Sequence, residues 1–302
     1  MPALIDLRRR IKSVKNTQQI TQAMKTVSSA KFKKAQKAVL EGRIMWHAFP
    51  EVVSLITSLP LPDFHPLLSK RTEKKILCLV ISSDKGLCGA FNSNLFEESS
   101  TFLEEKKKDT EVKLLLIGKK AIHHFSKNSF PVDRSYEKEI HTFTDEDLDG
   151  LAQHLIQLFI LNRMDAVYAI YNEFKSILSP KITVSQILPI IPEEVILSCE
   201  VPLRTRLQSK LTDPPIGLEW DPGIMPFLET LLPFYVKEQI RHVYFESVAA
   251  EHAARMIAMD NASNNAGELI NELTLVLNKI RQAMITIELL EIMTAVEALE
   301  KK

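Results

Sequence analysis

Both ends of this 302-residue chain lack the residues that stop helices. From Ala3 to Phe49 there is no proline and one glycine, Gly42; after Pro233 there is no further proline and one glycine, Gly267. Without these breakers each end can continue as one helix. At about 1.5 Å per residue, residues 1–50 predict a rod of roughly 70 Å and residues 234–302 one of roughly 100 Å. Cysteine is scarce too. Cys78, Cys88 and Cys199 are an odd number without metal-binding spacing, which excludes a disulfide scaffold and fits a reducing compartment, with the thiols as small apolar fillers. Long apolar runs are also missing, since a stretch such as Ile76 to Ile81 is far too short to cross a bilayer. The basic residues of the N-terminus lie within the helical pattern from its start, so no removable leader is expected.

Charge of one sign is missing overall, because 38 basic residues balance 38 acidic ones. It is not missing locally: residues 1–40 carry ten lysines and arginines against a single acid, Asp6. A rod that basic calls for an acidic partner or sleeve. Nucleic acid is a poor candidate, since Phe32 is the only aromatic residue before Trp46 and no recognition motif is present. Of the eight histidines only His123 and His124 adjoin, and neighbours on a helix face different ways. With no zincin spacing, nucleophile elbow or outstanding carboxylate pair, the sequence predicts no catalytic, metal or cofactor site.

What is present is heptad spacing. Leu273, Val276, Ile280, Ala283, Ile287, Leu290 and Thr294 alternate steps of three and four, the seam of a coiled coil. Leu4, Leu7, Ile11 and Val14 keep that rhythm, and Thr17, Ile20, Met24 and Val27 continue it after one extra step of three, a stammer. Two amphipathic helices lying on a globule would share this periodicity. The length of the rods and the narrowness of the stripe favour an antiparallel pair instead.

Between the rods, Pro50, Pro60, Pro62 and Pro66 break the chain and a domain over residues 74–192 begins. Lys75 to Ser82, Glu111 to Ile117 and Asp165 to Tyr171 are continuous apolar runs of strand length, separated by helical patterns at Leu95 to Lys107 and Leu148 to Asn162. Such alternation predicts a Rossmann-like, mostly parallel α/β sheet, with Val184 to Ile190 as a further strand. Nine of the fifteen prolines fall from Pro180 to Pro233, so residues 193–233 read as an irregular connection. Ser82 to Asn92 (SSDKGLCGAFN) occupies the place of a phosphate loop but lacks its chemistry. Lys85 precedes Gly86 and Ala90 follows Gly89, where a P-loop needs lysine and a hydroxyl after its last glycine; a third glycine for the dinucleotide fingerprint is also missing. No direct nucleotide binding is expected.

Four segments in order, Ile20 to Val27 (ITQAMKTV), Gly86 to Asn92 (GLCGAFN), Glu251 to Ala266 (EHAARMIAMDNASNNA) and Asn278 to Ile292 (NKIRQAMITIELLEI), resemble the gamma subunit of rotary F-type ATP synthases. Leu231 to Ser247 also looks like that family's entry into its C-terminal helix. The resemblance implies a noncatalytic central shaft turning inside a ring of alpha and beta subunits, with the sheet domain near the epsilon subunit and the ring of membrane c subunits. It implies the cytoplasmic face of a bacterial membrane, reached through the complex only. It further implies partner contacts at Met24 and Lys25 in the first helix and at Arg281, Gln282, Thr286, Glu288 and Glu291 in the last. On the heptad count above, Arg281 and Gln282 take outward positions b and c. Thr294 and Ala295 depart from the family's usual small residue and glycine near the tip, and Glu297 has no evident place there. The cysteine-bearing insertion of chloroplast members is absent. A non-motor coiled-coil adaptor with the same fold is the alternative.

Overall fold

A computed structural model of the chain describes residues 2–57, 65–127, 130–176, 180–191 and 224–300. The chain divides into two units: residues 30–254, and residues 1–29 together with 255–302. The expected irregular connection lies outside the described residues up to position 223, as does Cys199.

Helix α1 (Pro2–Thr57) and helix α5 (Ile224–Glu300) are longer than expected. Prolines fail to stop them. α1 continues past Pro50, and α5 begins ten residues upstream of the expected start with Pro233 inside it. An internal proline costs about 3 kcal/mol through its missing amide and ring clash. On α5 the offset is burial: Leu228, Leu232, Tyr235 and Val236 around the proline are all sealed, and Phe49 lies 4.7 Å from Tyr235 between ring centroids.

The larger unit is built on five strands, β1 (Lys75–Ile81), β2 (Glu111–Ile117), β3 (Val132–Tyr136), β4 (Ala166–Phe174) and β5 (Pro180–Leu188), in the order β3-β2-β1-β4-β5. All neighbours are parallel except β4 and β5. Helices α2 (Phe91–Lys107) and α3 (Lys119–Phe125) cover one face, packing Leu95, Leu103, Ala121 and Phe125 on Ile76, Cys78, Val80, Leu114 and Leu116. On the other face α4 (Asp145–Ile160) and the parts of α1 and α5 within this unit meet Leu77, Leu79, Ile81, Leu115 and Ile117. Burial on both sides explains why β1 and β2 read as unbroken apolar runs. The Cys78 thiol, pushed up to about 12 by burial, is an inert filler of that layer. β3 is almost wholly exposed and lacks the apolar run that would have revealed it.

Two local devices fix this unit. Thr144 and Asp147 form a reciprocal capping box at the start of α4, which begins at Asp145, ahead of the helical pattern expected from Leu148. Gly118, between β2 and α3, sits at φ +96°, and a Cβ there would stand 2.3 Å from the Ser82 carbonyl oxygen. Only glycine allows that approach.

Candidate partner-binding surface

The smaller unit is a pair of antiparallel helical segments, and three polar contacts set its register. Gln18 Nε2 donates to the Ser263 carbonyl at 3.3 Å, Ser263 Oγ donates to Gln22 Oε1 at 3.1 Å, and Lys25 Nζ donates to Asp260 Oδ1 at 2.7 Å. Numbering falls on one segment as it rises on the other. Continued in that register, Pro2 at the start of α1 stands opposite Ala283, so among the described residues none of α1 stands opposite the later part of α5.

Burial follows the same geometry. On α1 the covered positions are Leu4, Leu7, Ile11, Val14, Gln18, Thr21, Lys25 and Ser28; on α5 they are Met259, Ser263, Ala266, Ile270, Leu273, Leu277, Ile280 and Met284. Both alternate steps of three and four without interruption, so there is no stammer. The apolar count followed Ile20 and Val27 off the seam; both are exposed, because the true seam turns polar at Gln18 and returns to apolar residues at Phe32, Ala35 and Val39. On α5, Leu277 and Met284 take the places assigned to Val276 and Ala283, while Ile287, Leu290 and Thr294 lie beyond the start of α1.

The predicted contact residues separate accordingly. Arg281 and Gln282 are exposed, now at heptad positions e and f rather than b and c. Thr286, Glu288 and Glu291 are exposed as well, with Thr286 Oγ1 donating to the Gln282 carbonyl at 3.0 Å. Met24 is half-buried at the edge of the seam. Lys25 is half-buried too, and its charge is directed at Asp260 within the pair. Apolar residues stay outside here: Ile287 and Leu290, expected in the seam, and Ile285, Leu289, Ile292, Met293 and Val296, which sequence reasoning passed over, up to 69% exposed at Met293. At 100° per residue these seven positions span roughly 220° of the helix surface, wider than one stripe, and Glu288, Glu291 and Ala295 occupy the rest. An exposed apolar face that wide is one made to be covered. The excess of apolar residues in ITIELLEIMTAV over one seam's need was the available sign.

In the larger unit, the loop from Ser82 to Ala90 lies where strand order reverses beside β1, the usual ligand crevice of such sheets. Here it is closed on itself. Ser83 Oγ donates to the Lys85 carbonyl at 2.8 Å, and Asn92 Nδ2 donates to Ser83 Oγ at 2.7 Å. The buried Asp84 carboxylate accepts the amides of Lys119 at 3.1 Å and Ile140 at 2.7 Å. These two amides are thus taken by an anion belonging to the chain rather than left for a phosphate. Among the described residues no helix is long and apolar enough to cross a membrane.

Comparison with known proteins agrees with this architecture. The family model described as ATP synthase matches residues 3–299. The ATP synthase gamma chain of Geobacter metallireducens is 37% identical over 301 residues, covering 99% of this chain and 100% of that one. That of Solibacter usitatus is 39% identical over 304 residues with the same coverage. Among solved structures, a chain of the Euglena gracilis mitochondrial ATP synthase, in an assembly described as OSCP/F1/c-ring in rotational state 3, aligns with TM-score 0.66 at 20% identity, over 99% of this chain and 95% of that chain. Likeness at that identity speaks for the fold; membership rests on the family model and the full-length relatives, and by both the chain belongs to the ATP synthase family as one of its gamma chains.

Proposed function

We propose that this gamma chain is the turning shaft of a rotary ATP synthase, coupling proton translocation to ATP synthesis or hydrolysis on partner beta subunits. It carries no catalytic chemistry of its own in this reading. A ring of alpha and beta subunits surrounds the helix pair, and the epsilon subunit and ring of c subunits meet the sheet domain, on the cytoplasmic face of a bacterial membrane. The observation that carries the reading is the stretch after Ala283, whose exposed apolar residues cover more than half of the helix surface. So wide an apolar face is covered only by neighbours on more than one side, and a low-friction apolar bearing suits a helix that must turn in place.

The surface is also uneven, with Arg281 and Gln282 exposed just before this stretch and Thr286, Glu288 and Glu291 exposed among its apolar residues. A single shaft inside a ring of repeated subunits meets each of them with a different side. Differential contact is what shifts a partner between conformations, so this unevenness is the coupling device. A guanidinium fork at Arg281 suits reversible clamping of a carboxylate on a beta subunit. Met24 offers an adaptable apolar edge to the same ring. Lys25 contributes through its pairing with Asp260 as well as any contact outside.

The test is Arg281→Ala in a complex reconstituted with alpha and beta. The exposed position predicts an unchanged fold and a lower ATP turnover; unchanged turnover would remove Arg281 from the contact set.

A further inference from the structure

Histidine spacing in the sequence predicts no metal site, yet the fold gathers three metal-ligating side chains from distant positions within the larger unit. His141 stands on a short turn of 3-10 helix (Ile140–Thr142), and Glu251 and His252 are neighbours on α5. One donor atom from each lies within 4.8 Å of the other two. His141 Nε2 is 3.5 Å from a carboxylate oxygen of Glu251, and the rings of His141 and His252 stack with centroids 4.5 Å apart and planes 17° apart. Glu251 is 1% and His252 3% exposed, whereas His141 remains partly open to solvent.

We propose that His141, Glu251 and His252 form a binding site for a divalent transition-metal ion of the zinc class. Two imidazoles and one carboxylate are a donor set that zinc takes with water in the fourth position. Imidazole donors favour zinc, cobalt, nickel and copper over magnesium and calcium, whose ligands are oxygens. Donors around a tetrahedral zinc at about 2.0–2.1 Å stand roughly 3.3 Å apart, so the cluster closes by somewhat more than 1 Å on binding. Each imidazole must also hold the ion near its own plane, which two stacked rings do not do. One ring therefore turns out of the stack, and His141, on a short turn and accessible to solvent, is the one that turns and marks the entry path. The bound ion ties the turn after β3 to α5, beside the hydrogen bond that Tyr244 Oη donates to the Ile140 carbonyl.

The experiment titrates zinc chloride alone into the chelator-stripped full chain, by calorimetry and by thermal unfolding. The expected result is one equivalent bound and a raised Tm, with affinity at least about tenfold weaker in His141→Ala. His154→Ala, which removes a histidine paired with Asp133 at 3.3 Å elsewhere in the unit, is expected to leave binding unchanged. No saturable binding, equal affinity in His141→Ala, or equal affinity for magnesium overturns the proposal. Should His141→Ala fail to fold, the wild-type chain loaded with cobalt(II) decides. Intense visible bands of a four-coordinate ion support the site, and a weak six-coordinate spectrum overturns it.

Discussion

The two units of this chain use apolar and polar residues in opposite ways. In the sheet unit the strands β1 and β2 are sealed, and the polar groups of its loops are satisfied by each other, as at Ser83, Asn92 and Asp84. In the helix pair the covered seam contains Gln18, Thr21, Lys25 and Ser28, while Ile20, Val27 and the apolar residues beyond Ala283 face outward. A polar seam gives up apolar burial, worth about 25 cal/mol per Å², and an apolar exterior leaves that energy unspent. The sheet unit is thus built to be complete by itself. The helix pair keeps its strongest adhesion for something other than itself, as a part gripped and turned by neighbours must.

The same substitution in both units gives the largest contrast. Gly118→Ala drives a Cβ against the Ser82 backbone at a positive φ, and we expect a loss of roughly 4 kcal/mol or more, read as a lower urea midpoint of the full chain. Gly267→Ala meets only the amide nitrogen of the flexible Gln18 side chain, 3.0 Å from the added Cβ. There the gain in helix propensity, about 1 kcal/mol, should equal or exceed the cost of moving that side chain. Equal losses at the two sites would erase the distinction between a packed unit and an adaptable one.

Truncating leucines comes next. Leu115→Ala, in the sealed sheet, is expected to cost roughly 3 kcal/mol. Leu290→Ala, 57% exposed, should change the stability of the chain by less than about 0.5 kcal/mol. Its effect should surface only as lowered turnover or looser assembly with alpha and beta, which an ATPase assay of the reconstituted complex measures. A large loss in the isolated chain would mean that Leu290 is already covered by the chain itself.

How much of this was legible in the sequence also differs between the units. β1, β2 and β4 announce themselves because a strand buried on both faces must be apolar throughout, and the parallel topology follows from the helices between them. β3 escapes because edge exposure leaves VDRSY without an apolar run. For the helix pair, the existence of two long helices was readable from the missing breakers, but the seam was not readable from hydrophobicity. Following apolar residues leads from Val14 to Ile20 and Val27 and invents a stammer; holding the period leads through Gln18, Thr21, Lys25 and Ser28 to Phe32. Pro50 and Pro233 misled for another reason, since a proline's cost is local while the packing that offsets it is tertiary. The candidate contact residues in the last helix come from family resemblance alone, and spacing would not have singled them out. The His141, Glu251 and His252 cluster was invisible to spacing because its members meet only through the fold.

Lys25 and Asp260 sharpen the comparison on a smaller scale. Both side chains are more than a third exposed, so the pair contributes about 1 kcal/mol or less, and its role is to hold register more than to hold the helices together. Asp260→Lys should therefore loosen the pair modestly, and adding Lys25→Asp should recover most of the loss. Hydrogen exchange of amides in residues 15–30 and 255–270 reads both steps. Failure of the reversed pair to recover protection would show that the register rests on Gln18, Gln22 and Ser263 instead.

The smallest expected effect belongs to the sheet unit and depends on acid. Asp147 is held at about 2, below its ordinary 3.8, first by the hydrogen bond from Lys138 and then by the amide and hydroxyl of Thr144 in the capping box. A carboxylate depressed by folding adds stability that is complete above its unfolded pKa and disappears as pH falls through the folded value. The sign therefore predicts loss between about pH 4 and pH 2, with full protection at neutral pH. Because Asp147 lies at the surface, the change should be confined to the first turn of α4. Amide exchange at residues 145–149 ought to accelerate across that window in the native chain, and Asp147→Asn ought to be loosened at neutral pH already and flat across the same range. An acid transition that is identical in the two proteins would assign it to other carboxylates and reduce the capping box to a geometric feature of α4.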